Sequence, residues 1–151
     1  MKQNKSEENF FEKKNLNGWL NFNKPKHFSS SDCVNKIKSI LKAKKVGHAG
    51  TLDPMATGVL PIALGEATKA IRFIMESEKT YSFKARWGIE TTTDDIEGDT
   101  VRTTNKRPTE QSILENLAIF RGEVIQTPPN FSAIKISGKR AYKISRSGSV
   151  P

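Results

Sequence analysis

Residues 47–58, GHAGTLDPMATG, restrict the fold of this chain more than any other segment. They hold three Gly and one Pro, with neither the period of 2 that marks a strand nor the 3.6 that marks a helix. Such a segment is a long loop. The apolar run that follows, VLPIAL at 59–64, is the longest in the chain and reads as a buried strand. A long loop with few ionisable groups is where function tends to concentrate. This one carries His48 and Asp53.

Several chemistries are poorly supported there. His27 and His48 are the only histidines, no HxH or HxxE spacing exists, and Cys33 is the single cysteine, so a metal site is not expected. No Ser or Cys stands near a plausible base for a nucleophilic triad. The glycines lack the GKT/S that completes a phosphate-binding loop. Asp before Pro is common turn punctuation, and His48 beside Gly has an equally plain structural reading. The chemical alternative is a lone Asp53 acting as nucleophile, because a carboxylate ionised at neutral pH can attack an electrophilic carbon directly.

The charge pattern bears on the substrate. The net charge is +9, unevenly spread. Residues 24–45 hold seven Lys against the single acid Asp32, and residues 132–151 hold five Lys or Arg and no acid. Residues 89–123 reverse the sign, with eight acids and four bases. Two basic blocks suit a polyanion, since neutralising phosphates releases counterions; a lysine-rich solvated face is the plain alternative. A carboxylate nucleophile beside such a surface has a nucleoside as its natural substrate. No stretch approaches the roughly 18 apolar residues of a membrane span. The N-terminus lacks the apolar core of a signal peptide and carries Glu7, Glu8 and Glu12, so a cytoplasmic protein is expected.

Residues 1–15 read as a loosely attached polar tail, followed by one domain over 16–151. GWLNFN (18–23) suits a strand halted by Lys24-Pro25. Ser29, Ser30 and Ser31 offer N-cap oxygens to a helix with Val34, Ile37, Ile40 and Leu41 on its inner face. A helix over 66–76 would turn Ala67, Ala70, Ile71 and Ile74 inward. Residues 80–87 alternate, with Tyr81, Phe83, Ala85 and Trp87 on one face, and read as a strand. Residues 91–99 form a loop. A helix over 109–120 would bury Ile113, Leu117 and Phe120. A strand over 132–136, a turn at 137–138 and a helix starting over 141–146 complete the pattern. Strands and helices are interspersed without a βαβ rhythm, which gives a mixed α+β fold.

GHAGTLDPMATGVLPIALGEATK (47–69) closely resembles the signature of the bacterial tRNA pseudouridine-55 synthases, the TruB-type family. Three further blocks follow the family order: GWLNFNKP (18–25), Lys79-Thr80-Tyr81 with Gly88 and 91–94, and QTPPNFSAIK (126–135) with Gly138 and Ala141-Tyr142. The resemblance implies a largely antiparallel sheet flanked by helices, incomplete at the C-terminus. It implies isomerisation of uridine to pseudouridine at position 55 in the TΨC loop of tRNA, without cofactor, metal or guide RNA, by a monomer. It makes Asp53 the catalytic nucleophile and places Tyr81 on the flipped base. It has His48 contact the RNA and Lys24 and Pro25 support the loop from beneath. It counts Lys24, Gly50, Thr51 and Leu52 with His48 and Tyr81 as substrate-binding residues, and Lys42, Lys44 and Lys45 are candidate contacts to the RNA backbone. The family's chain continues with an arginine that pairs with the aspartate, a leucine and a second tyrosine of the pocket, and often an RNA-binding domain; Arg140 and Arg146 stand in no matching context. A truncated form that binds RNA with impaired catalysis is the other expectation.

Overall fold

The run after the loop becomes the middle of a three-stranded antiparallel sheet. In the computed structural model, which describes residues 12–128, 132 and 134–147, β1 (Gly18–Lys24) and β2 (Val46–His48) flank β3 (Gly58–Leu64). The register runs from Gly18 opposite Leu64 to Lys24 opposite Gly58 on one side, and from Val46 opposite Leu64 to His48 opposite Ile62 on the other. Alternation along β3 sends Leu60, Ile62 and Leu64 to the core. Ile62 is completely buried, as is the neighbouring Ala63. Along β1, Leu20 and Phe22 face the same way, while Trp19 is turned outward.

Helix α1 (Ser30–Leu41) closes this core. Ser29 caps it reciprocally: its hydroxyl accepts from Asp32 N at 3.1 Å, and the Asp32 carboxylate accepts from Ser29 N at 3.1 Å. The Ser29 hydroxyl and backbone N–H hold the Asp32 carboxyl below its ordinary value. Cys33 and Ile37 point inward, with Val34 and Leu41 packed at the edge. Ile40, expected on the inner face, is instead 68% exposed. The packed face runs from Cys33 through Ile37 to Leu41 and Val34, and Ile40 lies about 60° around the helix from Ile37, just beyond Cys33 at the outer edge of that face. The helix ends at Lys42, whose left-handed φ of 51° reverses the chain.

Residues 65–70 form a 3-10 turn leading into α2 (Ile71–Met75), so the helix expected over 66–76 is shorter and tighter than its apolar spacing suggested. Gly65 sets that turn with φ 55°. A Cβ there would overlap the Leu16 carbonyl and Asn17 Oδ1, which accepts from Glu66 N at 2.8 Å. Gly65→Ala is therefore expected to cost at least about 2 kcal/mol in urea unfolding, since a backbone carbonyl cannot step aside.

The chain divides into two compact units, Met1–Tyr81 and Ser82–Pro151. The first holds everything above. Residues 1–11 of the expected tail lie outside the described residues; beyond them the segment is tied down, with Lys14 bridged to Ala43 in parallel fashion. In the second unit β4 (Ile89–Thr91) and β5 (Thr100–Thr103) make a hairpin, joined by a cross-strand ion pair of Arg102 to Glu90 at 2.9 Å. Next come α3 (Glu110–Leu117) with a 3-10 extension through Phe120, a short hairpin of β6 (Lys135–Ile136) and β7 (Lys139–Arg140), and α4 (Ala141–Arg146).

Two expectations fail from residue 80 onward. Residues 80–87 form no strand: Tyr81, Phe83 and Trp87 are 65%, 87% and 46% exposed. Alternation makes a segment fit for a sheet, but a strand exists only where a neighbour takes its backbone hydrogen bonds, and no described residue does so. Leu117 and Phe120 are likewise exposed, so α3 does not bury its apolar face. The overall class remains mixed α+β with antiparallel sheets.

Candidate active site

The loop expected at 47–58 is shorter by the strands at its two ends, since Gly47 and His48 belong to β2 and Gly58 opens β3. What remains is a nine-residue hairpin loop, 49–57, whose mouth is drawn together by Ala49 N donating to Pro61 O at 2.9 Å. Asp53 sits near its middle, and its backbone is held on both sides.

On the N-terminal side the clamp is Ser30. Its hydroxyl accepts from Leu52 N at 2.9 Å and donates to Leu52 O at 3.0 Å. The Leu52 side chain meanwhile packs against the core cluster. On the C-terminal side the clamp is Lys24. It follows Leu20 and Phe22 at an inward position of β1, where an apolar residue would be usual, and it is fully buried. Its ammonium donates to Phe28 O at 2.7 Å, Pro25 O at 3.1 Å and Pro54 O at 3.3 Å, which uses its three hydrogens on three carbonyls. Pro54 O accepts a second bond from His27 N at 2.7 Å. Ala56 N then donates to Asp53 O at 3.0 Å and closes the turn.

The Asp53 side chain takes part in none of this. It is exposed and, among the described residues, has no hydrogen-bond or ion-pair partner. The loop thus fixes the backbone around a carboxylate and leaves the carboxylate free to meet something else. That separation is unlike an Asp serving as turn punctuation, whose oxygens would bond nearby backbone N–H groups.

His48, at the end of β2, turns Nδ1 to the Gly50 carbonyl. A carbonyl only accepts, so Nδ1 carries the proton in this contact; in the neutral tautomer that leaves Nε2 as the acceptor. Gly50 makes this close return with φ 117°, a conformation few side chains tolerate. Lys24, His48, Gly50, Leu52 and Asp53 are thereby joined in one loop and its supports, with Thr51 exposed between them. Tyr81 enters none of these hydrogen bonds and presents its ring to solvent. No group of three or more His, Cys, Asp or Glu suited to a metal ion occurs among the described residues.

Sequence reasoning missed Ser30. Three consecutive serines are all candidate caps, yet only Ser29 caps the helix. A helix has one N-cap position, so a second, buried Ser needed a partner elsewhere.

A second feature is basic. Lys14 N donates to Lys42 O at 2.7 Å and Lys44 N to Lys14 O at 3.1 Å, which lays residues 13 and 14 beside 42–45. Lys13, Asn35, Lys38, Ser39, Lys42 and Ala43 line an open depression of about 450 Å3 there. Lys44 and Lys45 are exposed.

The sequence model of the TruB family pseudouridylate synthase N-terminal domain matches residues 38–150. The tRNA pseudouridine synthase B of Bartonella tribocorum is 53% identical over 135 residues, 89% of this chain and 42% of that protein. The protein of the same name from Rhizobium johnstonii is 52% identical over 133 residues, 88% of this chain and 43% of that one. The chain therefore spans less than half the length of these two curated relatives. Among solved structures, a chain of the crystal structure of a Cbf5-Nop10-Gar1 complex superposes with a TM-score of 0.52 at 31% identity, covering 78% of this chain and 31% of that chain.

Proposed function

Because the chain belongs to the TruB family of pseudouridylate synthases, we propose that it supplies the reacting carboxylate of a cytoplasmic tRNA pseudouridine synthase acting on the TΨC loop at position 55. The observation that carries this reading is the Asp53 loop: backbone bonded on both flanks, carboxylate exposed and unbonded. Uridine becomes pseudouridine by exchanging its N–C glycosidic bond for a C–C bond, so the base must detach, turn and rejoin through C5. Asp53 starts this by attacking C1′ of the sugar, by adding to C6 of the base, or by taking a sugar proton. Each route needs the nucleotide out of its stack, at a cost of a few kcal/mol that an aromatic partner offsets in part. The exposed ring of Tyr81 is suited to that partnership, and Nε2 of His48 to accepting a hydrogen bond from the displaced nucleotide. The isomerisation involves no net redox change and no transfer to a second molecule, so the reading calls for no cofactor. The tRNA is met by one copy of the chain, with no guide RNA.

Tritium release from a tRNA transcript labelled at uracil C5 tests the reading, because isomerisation must expel that hydrogen. Release above the no-enzyme rate supports it. A second reading, RNA binding with impaired catalysis, is favoured by the absence of an ion-pair partner for the Asp53 carboxylate among the described residues and by the missing strand at 80–87. Tight tRNA binding without tritium release would select it.

The basic face gives a separate prediction. Lys42, Lys44 and Lys45 replaced together by Gln should weaken tRNA binding. The slope of log affinity against log salt should become shallower by about one for each phosphate that the lysines no longer neutralise. An unchanged slope would show that this cluster faces away from the RNA.

A further inference from the structure

We propose that Ser30 is a positioning residue for Asp53, acting by locking the peptide plane that joins Leu52 to it; the inference rests on the reading that Asp53 reacts. Ser30 is the first residue of α1 and only 3% exposed. Its neighbour Ser29 already meets the needs of the helix end. The Ser30 hydroxyl is therefore spent entirely on a residue 22 positions away, accepting from Leu52 N and donating to Leu52 O. One hydroxyl donates once and accepts up to twice, so both bonds form together.

The second bond is the consequential one. The Leu52 carbonyl belongs to the same rigid peptide unit as the amide nitrogen of Asp53. Holding that oxygen sets the direction in which the Asp53 Cα–Cβ bond leaves the loop. The core packing of Leu52 fixes where this peptide unit sits, and the hydroxyl fixes its rotation. On the far side the Pro54 carbonyl is fixed by Lys24 and His27. Without Ser30 the carboxylate keeps its chemistry and one anchor but loses its aim. Misplacement of a reacting group by about 1 Å costs on the order of 100-fold in rate.

The test uses the 151-residue chain with Ser30→Ala and Ser30→Thr, read by tritium release and by amide hydrogen exchange. Ser30→Ala is expected to lower kcat by about 10- to 100-fold with KM within about twofold. Exchange at the Leu52 amide should rise at least tenfold, while the Leu60 and Ile62 amides in β3 keep their protection. Ser30→Thr, which retains the hydroxyl, should recover most of the turnover. Unchanged exchange at Leu52, or unchanged turnover, overturns the proposal. So does a loss of turnover accompanied by equal loss of protection at Leu60 and Ile62, since that is general loosening. If the unsubstituted chain releases no tritium, the catalytic reading fails by itself, and the Leu52 exchange alone then decides whether Ser30 holds the peptide.

Discussion

Asp53→Asn is expected to reduce tritium release from C5-labelled tRNA by at least about 1,000-fold, which corresponds to roughly 4 kcal/mol of lost transition-state stabilisation. The size follows from what the substitution removes. Asn keeps the shape of Asp and the ability to accept a hydrogen bond, but it neither attacks carbon nor takes a proton at neutral pH. Nothing in the fold compensates or suffers, because the Asp53 carboxylate is exposed and has no partner among the described residues. Urea stability should therefore stay within about 0.5 kcal/mol of the parent, as for most exposed positions. Affinity for tRNA should hold as well. A variant with near-normal turnover would remove Asp53 from the reaction, whatever the resemblance of its loop.

Lys24→Met should have the largest effect on stability, a loss of about 3–5 kcal/mol in urea unfolding followed by Trp fluorescence. The methionine fits the stem of the lysine and restores the apolar alternation of β1. It leaves the Pro25 and Phe28 carbonyls without their Lys24 donor, while Pro54 O keeps only His27 N. An unsatisfied buried polar group costs about 1–3 kcal/mol. Lys24 is completely buried, so water does not replace the ammonium without opening the structure. Against a total stability of about 5–15 kcal/mol typical of domains, the loss is a large fraction. A change under about 1 kcal/mol would mean that the three carbonyls find other donors.

Most of the first unit was legible in the sequence. The strand after Gly58 followed from its unbroken apolar run, the opening strand from GWLNFN before Lys-Pro, and α1 from its cap and its spacing. Asp53 stood out because a loop with so few ionisable groups gave chemistry few places to be. Legibility failed where the outcome depended on a partner distant in sequence. Tyr81, Phe83 and Trp87 alternate as a strand should, yet no described neighbour completes their ladder. The short strand Thr100–Thr103 carries little apolar signal and exists through its pairing with Ile89–Thr91. Ser30 looked interchangeable with the serines beside it, and only the approach of Leu52 sets it apart. Local pattern reports what a segment is able to form. Tertiary pairing decides whether it does.

The anchors of the 49–57 loop have a consequence for how the protein is made. Ser30 reaches across 22 residues to Leu52 and Lys24 across 30 to Pro54, while the flanking ladder brings Gly18 to Leu64. Bonds between residues so far apart in sequence form late, because closing long stretches of chain costs entropy before any bond rewards it. During synthesis the loop leaves the ribosome before β3 does, and its only local bonds are the turn at Asp53–Ala56 and the contact of His48 with the Gly50 carbonyl. Its final shape is thus acquired only after β3 has emerged and docked between its neighbours.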